Sequence, residues 1–105
     1  MDTKMFATLA EPNRLHIIEL LHKSPRSVNE IAHALHLSQP QVSKHLKVLA
    51  DAGMVQVQPV KNKRVYSLKP EPFKELDTWL QKYRDVWEQR LDRLDTFLKK
   101  ETNKL

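Results

Sequence analysis

The chain has 105 residues, 18 Lys and Arg against 13 Asp and Glu, no Cys and one Gly, and 40% of it is apolar. That length suits one domain with a modest core, and the composition excludes disulfides, thiolate metal sites, thiol catalysis and glycine-rich phosphate loops. No apolar run reaches the roughly 18 residues of a membrane span, and the start, Met1-Asp2-Thr3-Lys4, lacks a signal-peptide stretch, so the cytoplasm is the expected compartment. Residues 1–69 hold ten basic and five acidic side chains, a net +5, whereas residues 70–105 hold eight of each. The uneven placement predicts a polyanion-binding module followed by a neutral helical appendage. A basic protein without a nucleic-acid partner would show the same total, so the motifs must decide.

Met5, Phe6 and Leu9 recur at helical spacing in a short opening segment. Glu11-Pro12 punctuates, and Pro12 suits the first position of a new helix because its missing N–H is not needed there. Leu15, Ile17, Ile18, Leu20 and Leu21 give that helix a broad apolar face to about His22; Ser24-Pro25-Arg26 ends it, since the residue before proline avoids the helical region. Ser27-Val28-Asn29-Glu30 reads as a capping box opening a short helix lined by Val28, Ile31, Ala32 and Leu35. His36-Leu37 makes a break. Ser38-Gln39-Pro40-Gln41 is a second cap signal, with Leu37 and Val42 at the two positions of a hydrophobic staple. Gly53 closes this helix as a left-handed terminal residue.

The period then changes. Met54–Gln58 alternates, with Val55 and Val57 on one face; residues 59–63 read as a polar, basic turn, and Arg64–Leu68 as a second strand. Pro70 and Pro72 precede a long helix, roughly Phe73 to Lys100, with apolar residues every three or four positions: Phe73, Leu76, Leu80, Tyr83, Trp87, Leu91, Leu94 and Leu98. Trp79 and Phe97 widen the stripe.

Two short helices joined by a brief turn, then a basic hairpin, predict a mainly α winged helix-turn-helix with a small β-hairpin, whose second helix enters the DNA major groove. On a helical wheel Val42, Leu46 and Leu49 fall within about 60° of one another and face the core. Pro40, Gln41, Lys44 and Lys47 lie opposite, with Ser43 on a flank and Gln39 near the open end. Gln and Lys read purine edges; Lys and Ser also hold phosphates. Five residues carry two readings. His45, on the flank, is either a packed histidine or a DNA contact, and Gln41 is claimed both by the cap and by the groove. Lys61, Lys63 and Arg64 form either a solvated loop or a backbone clamp, the latter favoured by their neighbourhood.

The stretches Ala7-Thr8-Leu9-Ala10-Glu11-Pro12-Asn13-Arg14-Leu15, Leu37-Ser38-Gln39-Pro40-Gln41-Val42-Ser43-Lys44-His45-Leu46, Ala52-Gly53-Met54-Val55 and Tyr66-Ser67-Leu68 together resemble the ArsR/SmtB family of bacterial winged-helix repressors. The resemblance implies a homodimer, joined through the first and last helices, on a palindromic operator in double-stranded DNA. It also implies that Gln39, Ser43 and Lys44 sit where the family's helix contacts bases, with Ser38 and His45 nearby. The chain departs from the family's metal-sensing pattern. Ser27-Val28-Asn29-Glu30-Ile31 stands where one family site has its Cys-containing motif, and no histidine follows His45 for the site on the last helix. His33 and His36, three apart, are too few for zinc, which takes three or four ligands. Neither a metal nor another cofactor is expected.

A helix of roughly 28 residues, about 42 Å long, is more than one small domain can cover. Met5, Phe6, Leu9, Leu76, Trp79, Leu80, Tyr83, Trp87, Leu91 and Leu94 are therefore expected at a dimer interface. A pocket for a small apolar effector, lined by the same aromatics, is the alternative use, making the protein an effector-responsive sensor. A protein-interaction module without DNA is the competitor from another class, and the basic first two thirds argue against it. No nucleophile–base or carboxylate pattern points to an enzyme.

Overall fold

In a computed structural model, residues 3–103 are described, with side chains over residues 3–101; Met1 and Asp2, the first half of the start read above for a signal stretch, lie outside them. The chain divides into two compact units, one reaching Phe73 and the other starting at Lys74. The elements in order are α1 (Thr3–Leu9), α2 (Pro12–Lys23), β1 (Arg26–Ser27), α3 (Val28–Leu35), α4 (Gln39–Asp51), β2 (Val55–Val60), β3 (Lys63–Leu68) and α5 (Pro70–Asn103).

Local chemistry explains most boundaries. Glu11 caps α2, its carboxylate accepting from the Arg14 N–H at 2.9 Å, with Pro12 in the first turn. Ser27 and Glu30 form both halves of a capping box at α3, as do Ser38 and Gln41 at α4. His36 ends α3 in the left-handed conformation at φ 56°, and the Leu37 N–H reaches back to the Ala32 carbonyl at 3.0 Å. At the end of α4, Gly53 has φ 74°, which a residue without Cβ adopts freely. The Gly53 N–H bonds the Ala50 carbonyl and the Met54 N–H bonds the Leu49 carbonyl, both at 2.9 Å, closing a Schellman motif.

Glu30 is exposed, and its carboxyl is held below the ordinary value of 4.5, by the Ser27 hydroxyl first, then the Ser27 N–H, with smaller attraction from Lys63 and Arg26. A lowered folded-state value means stability that is present above the ordinary carboxylate range and lost as pH falls through the lowered value. Denaturant melts across acid pH should therefore show a stability decrement in the native chain that Glu30→Gln lacks.

Three readings from sequence need correction. The hairpin turn is shorter than residues 59–63: β2 runs through Val60 and pairs with β3 in the register Val55↔Leu68 to Val60↔Lys63, leaving only Lys61-Asn62 to turn. Pro59 stays in the ladder opposite Arg64 because β2 is an edge strand, where a missing N–H can face away from the sheet. Lys61 supplies the left-handed residue of the turn at φ 57°. The second correction is a third strand. Arg26 and Ser27 pair antiparallel with Tyr66 and Val65, giving the order β1-β3-β2, where Arg26 read only as the end of a helix. The long helix also runs further at both ends than Phe73–Lys100, because Pro70 and Pro72 occupy its first turn, where their missing N–H groups have no intrahelical partner to lose.

The core of the first unit is Ile17, Ile18 and Leu21 of α2, Ile31 and Ala32 of α3, Val42, Leu46 and Leu49 of α4, then Met54 and Val55, joined by Met5. Val57, read on one face with Val55, is exposed, while Val55 is buried. In the second unit α5 is a single helix, and Leu80, Tyr83, Val86, Trp87, Leu91, Leu94, Phe97 and Leu98 are all exposed along it. Trp79 and Tyr83 stack at a tilt with centroids 4.6 Å apart, Arg90 lies over the Trp87 ring at 5.6 Å, and Lys99 pairs with Asp95 at 3.1 Å. No helix among the described residues is long and apolar enough to cross a membrane.

Candidate nucleic-acid interface

The site is built on α4. Three of its side chains, Val42, Leu46 and Leu49, are completely buried and fix which way the helix faces. Gln39, Pro40, Gln41, Ser43, Lys44 and Lys47 are consequently all exposed, together with Ser38 at the cap. Its one acidic residue is Asp51, in the last turn. Among the described residues neither Lys44 nor Lys47 has a carboxylate within ion-pairing range, nor have Lys61 and Arg64 in the hairpin. Unneutralised cations beside amide and hydroxyl groups on a convex helix face suit contact with phosphate and base edges.

The polar residues are not equivalent. The Gln41 Oε1 accepts from the Ser38 N–H and from the Ser38 hydroxyl, each at 3.0 Å, while the Gln41 N–H donates to the Ser38 Oγ at 3.3 Å. Both readings of Gln41 thus concern one side chain whose oxygen is already engaged. His45 is only 17% exposed, its Nδ1 is buried without a hydrogen bond, and that atom lies 3.8 Å from the Glu11 Oε2. The separation is too long for a hydrogen bond. At most one ring nitrogen of His45 remains for an external partner.

Sequence reasoning took Glu11 only as punctuation. It caps α2, and it faces His45 of α4 from the same carboxylate. The position immediately before Pro12 was the available signal, since the residue ahead of an N1 proline is the cap. Arg14 was also overlooked: its Nε donates to the Thr8 carbonyl at 2.7 Å and ties the end of α1 to the start of α2.

In the hairpin Lys61, Lys63 and Arg64 are exposed. Lys63 and Arg64 are successive residues of β3, where side chains alternate between the two faces of the strand. Lys63 is also one of the charges acting on Glu30. Of the expected interface residues outside this site, Met5 is buried and Leu9, Leu76 and Trp79 are half-buried, while Phe6, Leu80, Tyr83, Trp87, Leu91 and Leu94 are exposed. Among the described residues no three His, Asp or Glu side chains gather as a metal-ligand set.

A tri-helical core with a capped second helix of a helix-turn-helix and a three-stranded sheet ending in a hairpin defines a winged helix-turn-helix protein. The profile of the bacterial regulatory proteins of the arsR family matches residues 11–57. The chain is 39% identical over 80 residues to the HTH-type transcriptional regulator Rv2034 of Mycobacterium tuberculosis, an alignment covering 76% of this chain and 75% of that one. It is 46% identical over 52 residues to the HTH-type transcriptional repressor SmtB of the same species, covering 50% of this chain and 38% of that one. Among solved structures it resembles the homodimeric winged helix-turn-helix DNA-binding domain Mb0332 of Mycobacterium bovis, with a TM-score of 0.66, 26% identity, and 79% and 77% of the two chains covered. The chain belongs to the arsR family and is a DNA-binding transcription regulator.

Proposed function

We propose that the protein is a repressor that binds a two-fold symmetric operator as a homodimer, each protomer presenting the outer face of α4 to a major groove. The observation that carries this reading is the polarity of α4: Val42, Leu46 and Leu49 fully buried on one side, exposed Gln39, Ser43, Lys44 and Lys47 on the other. Ser38, Gln41 and His45 border that face, and Lys61, Lys63 and Arg64 provide contacts to the DNA backbone from the hairpin. Two-fold symmetry sets half-sites about one helical turn apart, or a multiple of it. The exposed stripe from Leu80 to Leu94, and separately the exposed Phe6, support a dimer; Leu9, Leu76 and Trp79 are half-buried and Met5 is buried in the first unit. The Mb0332 domain, which is homodimeric, supports it as well.

The two groups of cations separate the kinds of contact. Lys44→Ala should weaken operator binding by about 1–3 kcal/mol and relax the base preference at one position in each half-site. Replacing Lys61 and Arg64 by Ala should weaken every sequence alike and reduce the slope of log affinity against log salt by about 0.9 for each phosphate that is no longer neutralised. Selecting bound duplexes from a random pool, followed by salt titrations on the selected sequence, measures both. Unchanged affinity and unchanged preference in Lys44→Ala would remove the basis for this reading.

A further inference from the structure

The chain contains two capping boxes of the same geometry, and they differ in one atom. At α3 the third helical residue is Glu30, whose carboxylate accepts from the Ser27 N–H at 3.3 Å; at α4 it is Gln41, whose Oε1 accepts from the Ser38 N–H at 3.0 Å. A backbone N–H can only donate, so the Gln41 atom facing it must be the amide oxygen, and the orientation of the amide follows from chemistry alone. The Ser38 hydroxyl also donates to that oxygen at 3.0 Å. An amide oxygen has two lone pairs, and both are occupied. The Ser38 hydroxyl has used its single proton in the same contact. What Gln41 and Ser38 offer outward through the amide is therefore its two N–H bonds.

Resting on the DNA-binding reading above, we propose that Gln41 is a donor-only specificity residue: it recognises a hydrogen-bond acceptor and cannot make the paired donor–acceptor contact by which glutamine reads adenine. That paired contact needs the amide oxygen to accept from the adenine N6 amino group while the nitrogen donates to N7. With its oxygen held in the cap, Gln41 fits guanine O6 or N7, thymine O4, a phosphate oxygen or, through a single bond, adenine N7, and it rejects the cytosine amino group. Gln39 stands two residues earlier, exposed, and among the described residues its amide has no hydrogen-bond partner, so adenine recognition falls to Gln39. The proposal also explains why α4 carries Gln where α3 carries Glu. Either side chain completes the cap, but only the amide adds donors to a face that meets a polyanion.

Gln41→Glu tests this directly, because it reproduces the Ser27–Glu30 pair and keeps the cap acceptor while removing the donors. Helix content and melting temperature should match the native chain. Operator affinity should fall roughly 5- to 20-fold, as for loss of one or two hydrogen bonds. In sequences selected from a random duplex pool, one position per half-site should change from guanine or thymine towards cytosine if the acceptor is a base. A uniform loss with no change of preference would assign the donors to phosphate and overturn the specificity role. Gln41→Lys, which keeps donors and discards the acceptor, should retain the native preference at that position even if the weakened cap lowers stability. The proposal is overturned by Gln41→Glu with native affinity and preference, or by a native adenine preference that both variants lose. A native chain with no salt-dependent, sequence-selective binding would instead overturn the DNA-binding reading itself.

Discussion

Leu91→Glu is expected to sediment as a monomer at concentrations where the native chain is a dimer, and to lose tight binding to a palindromic duplex while remaining folded. The reason lies in what covers α5. Leu91 is 58% exposed and Trp87 57% exposed, and the same stripe continues through Leu94 and Leu98 over successive turns. Burial of such a face returns about 25 cal/mol for each Å² of apolar surface removed from water. If the stripe is the dimer interface proposed above, a carboxylate introduced into it must be desolvated, which costs several kcal/mol. The effect on DNA follows by avidity: two linked reading helices bind a palindrome some 10²–10⁴-fold more tightly than one, so the monomer should bind a full site no better than a half-site. Sedimentation equilibrium gives the assembly state, and titration of whole and half operators gives the affinity. A Leu91→Glu protein that stays dimeric would place the interface elsewhere.

Leu46→Ala is expected to destabilise the first unit by about 2–5 kcal/mol, through reduced burial and the cavity left behind. Leu46 is completely inaccessible and sits on the inner side of α4, two residues from Lys44 on the outer side. A change of that size is a large part of the roughly 5–15 kcal/mol that holds a domain of this class together. Lys44→Ala, an exposed change, should stay within about 0.5 kcal/mol of native stability. The pair thus gives opposite signatures: one variant melts early and binds DNA normally when folded, the other melts normally and binds poorly. Thermal melts read beside operator titrations on both proteins would reveal any exchange of the two roles.

The features legible in the sequence are those whose cause lies within four residues along the chain. Ser27 with Glu30, Ser38 with Gln41, Pro12 and Gly53 each act on their own turn of helix, and each reading agrees with the structure. The buried and exposed sides of α4 were legible for a similar reason, since a wheel needs only the helix itself. What escaped depends on partners far away in sequence. Arg26 and Ser27 are strand only because Val65 and Tyr66 lie beside them, and Pro59 remains in a ladder only because β2 is at an edge. In the candidate site the pattern proposes residues but cannot show which of their atoms are already engaged. That Gln41 has its oxygen engaged and that the His45 Nδ1 faces Glu11 at the cap of another helix are facts of three-dimensional placement.

The lone glycine of the chain stands at the junction between α4 and the hairpin, and hydrogen bonds enclose it. Met54, the next residue, is fully buried, its N–H bonded to Leu49 and its carbonyl to the Lys69 N–H at 3.0 Å. The most permissive backbone position is thereby immobilised, and the reading helix and the hairpin leave it in fixed directions. An encounter with DNA then has little main chain left to order. On the proposed reading the entropic cost would fall on long side chains such as Gln39, Lys44, Lys47, Lys61 and Arg64, about 0.5–1.5 kcal/mol for each that becomes immobilised. Association is then expected to show a heat-capacity change set by the surface that the complex buries and not by coupled folding.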